Sequence, residues 1–107
     1  MPTRRERIES MLAEEPHDTF LRYSLAMELD KEGAHDRSLA GLRDLMGDAP
    51  PYVPAFFMAA QQLVRLSQIA EARTILRSGV EEARRQNNAH AAGEMAEFLA
   101  SLGSQGE

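Results

Sequence analysis

His90 and Glu94 stand four residues apart, which on a helix brings both side chains to one face, a turn from each other. A histidine and a carboxylate so related can exchange a proton or supply two ligands to a metal ion. Zinc takes three or four ligands, and no second pair of this kind offers itself. His17 follows Pro16 and His35 lies just past Gly33, so both belong to connections between elements. The expected role of His90 and Glu94 is a local bond that steadies the first turn of the last helix. A small metal-dependent or hydrolytic protein using that pair is the remote alternative. Nucleophiles are no better placed. The chain has no cysteine, which removes thiol catalysis, disulfides and thiolate-held zinc together. No serine sits in a G-x-S-x-G elbow, and there is no glycine-rich phosphate loop. The paired carboxylates Glu14-Glu15 and Glu81-Glu82 belong to solvated helix surfaces. Neither enzyme activity nor a metal or cofactor is expected.

Charge narrows the partners. The net charge of −5 opposes the phosphate backbone, so nucleic acid is not an expected partner. One local exception is basic: Arg73, Arg77 and Arg84 fall on one face of a helix, with Arg85 beside them and Arg65 just before. An acidic partner could dock there. Glu71, Glu81 and Glu82 share that helix, however, and a solvated charged face is the preferred reading. The N-terminal stretch MPTRRERIESMLAEEP has arginines with no apolar run behind them, unlike a secretory signal. No stretch approaches the roughly 18 apolar residues of a membrane span. A cytoplasmic protein with no membrane partner is expected.

The elements that carry these residues are read from breakers and periodicity. At 107 residues, 43% of them hydrophobic, the chain suits a single domain over 1–107. Alanine, leucine, glutamate, arginine and methionine abound, and this balance favours helices. Breakers at Pro16, Gly33, Gly47 with Pro50 and Pro51, Ser67, Asn87 with Asn88, and Gly103 separate six helical stretches. The first, 3–15, presents Ile8, Met11 and Leu12. The second, capped by Asp18 or Thr19, carries Leu21, Leu25, Ala26 and Leu29 up to Gly33. The third starts near Asp36 and places Leu39, Leu42, Leu45 and Met46 on one side. The fourth opens at Pro54 with Phe56, Ala59, Ala60 and Leu63. The fifth runs from Ile69 to Gln86 with Ala72, Ile75, Leu76, Val80 and Ala83. The last runs from Ala89 to Leu102 with Ala92, Met95, Phe98, Leu99 and Leu102. Short connections make neighbours antiparallel.

Pro16 and Pro50 are 34 residues apart, and the segments that follow them superpose. Leu25-Ala26 matches Ala59-Ala60, Leu29 matches Leu63, Gly33 matches Ser67, Ser38 matches Ala72, and Leu42 matches Leu76. Small residues fall where the two helices of a unit cross, and large ones fill the space on either side. In these positions, most specifically in LVRLSQIAEARTIL with its Glu71-Ala72 pair, the chain resembles the tetratricopeptide (TPR) repeat family. It looks like the compact TPR proteins of bacteria. The resemblance implies an all-α, short, right-handed solenoid of antiparallel helix pairs. Repeat one is 17–50 and repeat two is 51–84. Helix 3–15 is an orphan and 88–103 a C-terminal cap. Three features depart from the family pattern: Arg22 stands at a bulky position, Ser67 replaces the turn glycine, and repeat two lacks a closing proline, so its second helix can run longer.

In TPR proteins the first helix of each unit lines a concave face that holds ligand. Carried over by register, the binding positions are Phe20, Tyr23, Met27, Asp30 and Lys31 in repeat one. In repeat two they are Pro54, Phe57, Gln61, Val64 and Arg65. Tyr23 and Met27 stand where the chaperone-binding members carry a carboxylate clamp, so a peptide or helix with an apolar stripe is expected instead. The alternative for these side chains is burial under neighbouring helices. The resemblance thus implies a non-catalytic protein-protein interaction module with an unknown protein or peptide partner. A self-associating scaffold, a homo-oligomer joined through its end helices, is the second possibility.

Overall fold

The computed structural model describes residues 1–103, and among them it is all-α. Six helices follow in order: α1 (Arg4–Glu14), α2 (Thr19–Lys31), α3 (His35–Met46), α4 (Val53–Arg65), α5 (Ile69–Arg85) and α6 (Ala89–Leu102). Each bound lies within a residue or two of its sequence expectation. Every helix packs on its sequence neighbours, and α4 also touches α6. None of these helices is long and apolar enough to cross a membrane.

The starts are fixed by local hydrogen bonds. Thr3 and Glu6 form a reciprocal box at α1: the Glu6 N–H donates to Thr3 Oγ1 at 3.1 Å, and the Thr3 N–H to Glu6 Oε1 at 2.8 Å. Asp18 accepts from the Leu21 N–H at 2.8 Å at α2. Asn88 does the same for Ala91 at α6, at 3.1 Å.

Three of the stops share one geometry. Gly33, Ser67 and Asn87 have φ of 83°, 62° and 61° after α2, α4 and α5. The residue after each donates its N–H back to the helix: Ala34 to Leu29 O at 2.8 Å, Gln68 to Leu63 O at 2.8 Å, and Asn88 to Ala83 O at 2.7 Å. This is the Schellman closure, which satisfies carbonyls the helix end would leave bare.

The core follows the matched positions. Ala26, Ala60, Leu29, Leu63, Ser38, Ala72, Leu42 and Leu76 are all buried, while Leu25 is half-buried opposite the buried Ala59. The small residues let the helices of each pair approach closely. Ser38 adds a polar tie: its hydroxyl donates to Ala26 O at 2.6 Å and accepts from Gln62 Nε2 at 2.9 Å, joining α2, α3 and α4. Gly79 on α5 is tighter still. A Cβ there would lie 2.6 Å from Met95 Sδ and 2.7 Å from Phe56 Cβ, so α4, α5 and α6 meet at a point with no room for a side chain.

Candidate functional site

The cleft lies where α2, α4 and α6 face one another. Tyr23 comes from α2, Pro54, Phe57, Met58 and Gln61 from α4, and Ala91, Glu94 and Met95 from α6. The α4 residues recur at spacings of three and four, one helix face. Tyr23 is held edge-on by Tyr52, with ring centroids 5.4 Å apart and planes at 71°. Burial lifts its phenol above the ordinary tyrosine value, and Tyr52 adds to the lift. Phe57 is held by Phe98 across α4 and α6, with centroids 5.5 Å apart. Both rings are half-buried, anchored on one side and open on the other.

The cleft encloses about 160 Å³. Small-molecule and cofactor sites run from about 300 Å³ upward, whereas an apolar cavity of about 150 Å³ admits a benzene-sized group. The space therefore suits one apolar side chain. Past Phe57 the cleft continues into a hollow lined by Glu94, Glu97, Phe98 and Ser101. Neither part is lined by a basic side chain among the described residues, so the rim is acidic.

Of the residues expected on the concave face, Tyr23, Pro54, Phe57 and Gln61 meet here. Phe20 does not. It is 70% exposed and lies with Ile8, Met11 and Leu21 in a separate groove between α1 and α2. Met27 is half-buried and outside the cleft lining. Lys31 is exposed, its ammonium 3.5 Å from Glu28. Arg65 reaches back from α4 to Asp30 on α2 at 2.9 Å. Asp30 also holds the His35 ring at 3.0 Å, so His35 is tied rather than merely solvated.

The remaining candidates resolve locally. His90 Nε2 is 3.5 Å from Glu94 Oε1, and both are well exposed. Among the described residues no three acidic or histidine side chains gather as a metal site would need. The expected basic face of α5 is broken. Arg73 is buried, and its guanidinium donates to the Gly103 carbonyl at 2.5 Å, capping the end of α6. Arg85 turns to Glu82 on its own helix. A wider hollow of about 670 Å³ beside the α3–α4 connection is lined by polar and apolar side chains alike, and its guanidinium and carboxylate, Arg22 and Asp48, are joined at 2.7 Å.

The third wall of the cleft, Ala91, Glu94 and Met95, was not expected from the repeat. The 34-residue period fails at α5, which runs 17 residues against 12 in α3 and delays the start of α6. The sequence signal for that wall is the spacing of Ala91 and Met95, four apart on an apolar helix. No protein-family model matches the chain, and neither curated proteins nor solved structures provide a match.

Proposed function

We propose that the protein is a non-catalytic interaction module whose cleft between α2, α4 and α6 holds an apolar side chain of a peptide or helix. The observation that carries this reading is the pair Tyr23 and Phe57, two aromatics fixed by ring neighbours yet open to a cleft of about 160 Å³. Rigid, half-exposed aromatics lose little entropy on contact and are favoured at interface centres. The acidic edge formed by Glu94 and Glu97 adds a preference for a lysine or arginine about one turn from the apolar anchor. The likeness of the sequence to TPR repeats, whose first helices line a ligand face, supports the same reading by analogy.

Selection from a displayed library of random helical peptides tests it. Enrichment of an aromatic or long aliphatic residue three or four positions from a basic one is the expected outcome. Binding of the selected peptide should fall when Tyr23 or Phe57 is changed to alanine. Selected peptides that bind Y23A and F57A as well as the parent chain would remove the cleft from the account.

A further inference from the structure

Apart from Met1, the exposed large apolar side chains among the described residues are Phe20, at 70%, and Met11, at 47%. They line one groove of about 260 Å³ between α1 and α2, together with Ile8, Leu21, Arg4 and Arg7. Apolar surface left open in this way marks an interaction site. The charges of α1 suggest what covers it. Spacings of three and four put Arg4, Arg7, Met11 and Glu14 on one stripe, with Glu15 beside the last. The stripe is basic at its start, apolar in the middle and acidic at its end. Arg4 is engaged with Glu28 at 2.8 Å, whereas Arg7, Glu14 and Glu15 enter no ion pair among the described residues.

Such a stripe is complementary to itself run backwards. We propose that the α1–α2 groove is a homodimer interface, in which α1 packs antiparallel on α1 of a second copy about a two-fold axis near Met11. Arg7 of each copy then faces Glu14 and Glu15 of the other, so every ion pair forms twice, as an isologous interface requires. Met11 meets Met11, and Phe20 closes over the contact from α2. Antiparallel helix dipoles add to the attraction. The patch is distinct from the cleft between α2, α4 and α6, so the dimer leaves that cleft open. One helix with a flanking aromatic makes a small interface, below about 1,200 Å², of the weak and transient class, with an expected dissociation constant on the order of 100 µM.

Sedimentation equilibrium on the full chain from about 1 µM to 1 mM reads the mass directly, against 11.9 kDa for one chain. A rise of the weight-average mass from that value toward twice it is expected across the range. Two variants, R7E and the double change E14R/E15R, should each weaken self-association by at least about tenfold, because like charges then face each other twice. Mixed one to one, they should form a heterodimer, since all the facing charges are opposite again. Both changes suit the helix dipole, an acid near the start and bases at the end, so circular dichroism should show full helix content. A chain that stays monomeric at about 1 mM, a dimer indifferent to R7E, or a mixture that fails to pair would each overturn the proposal.

Discussion

Gly33 and Ser67 occupy the same place at the ends of α2 and α4. Each has a positive φ, 83° and 62°, and each is followed by an N–H that returns 2.8 Å to a buried leucine carbonyl, Leu29 or Leu63. The two turns are interchangeable in geometry and differ in residue. For glycine the left-handed conformation is free of strain, whereas serine carries a Cβ that meets the following carbonyl, a cost of about 1–2 kcal/mol. Part of that is offset because serine loses less backbone freedom on folding.

Ser67→Gly should therefore stabilise the protein by about 0.5–1 kcal/mol. In a domain of this size that is a rise of several degrees in the unfolding midpoint, on the order of 4–8 °C per kcal/mol. Thermal unfolding followed by circular dichroism measures it. A midpoint unchanged or lowered would mean that the Ser67 turn is relaxed by contacts the hydrogen bonds do not reveal.

Gly79 and Gly41 make a matched pair of opposite sign. A Cβ at Gly79 meets Phe56 Cβ at 2.7 Å, an atom fixed to the α4 backbone, so Gly79→Ala must push helices apart and should cost about 1–3 kcal/mol. A Cβ at Gly41 meets Ala26 Cβ at an ordinary 3.7 Å, so Gly41→Ala should keep most of alanine's helix advantage of about 1 kcal/mol. Urea unfolding of the two variants checks both. Equal effects would show that the packing point among α4, α5 and α6 is not tight.

Asp48 and Glu6 should contribute to the acid limb of stability. The hydrogen bond from Arg22 holds the Asp48 carboxyl below the ordinary carboxylate range, and the Thr3 backbone N–H does the same for Glu6. A carboxyl whose folded value is depressed binds fewer protons in the folded chain than in the unfolded one. Its stabilisation is present above the ordinary value, about 4, and is lost as pH falls through the lowered folded value. The unfolding midpoint should thus decline below about pH 4. Asp48→Asn should lower stability at neutral pH and make that decline shallower. An acid limb unchanged by Asp48→Asn would show that the Arg22–Asp48 pair contributes nothing in solution.

How far these features are legible in the sequence depends on the reach of the contact involved. The helices and their buried faces are readable because their signals are local: Asp18 caps three residues on, Gly33 stops a helix, and leucines recur at turn spacing. Phe20 and Tyr23 are three residues apart and a repeat register assigns both to one face. Their separation into two grooves is decided by α1, whose docking against α2 no pattern within α2 reports. Arg73 has the spacing of a surface arginine and is buried because the end of α6 comes to it, a contact across thirty residues (Arg73 to Gly103). In the sequence Glu94 stands out for its histidine neighbour. Its place on the rim of the cleft comes from the packing of α6 against α4, a contact that no pattern within α6 reports.

The most direct measurement is titration calorimetry of a library-selected peptide against F57A and F20A, at protein concentrations of about 10 µM. Both changes remove a phenylalanine that the repeat register assigns to the same face, and only Phe57 stands in the cleft. Phe57→Ala should weaken binding by at least about tenfold, near 1.4 kcal/mol, with the helical spectrum retained, while Phe20→Ala leaves affinity within about twofold. Loss with Phe20→Ala and none with Phe57→Ala would move the ligand to the α1–α2 groove and contradict the account.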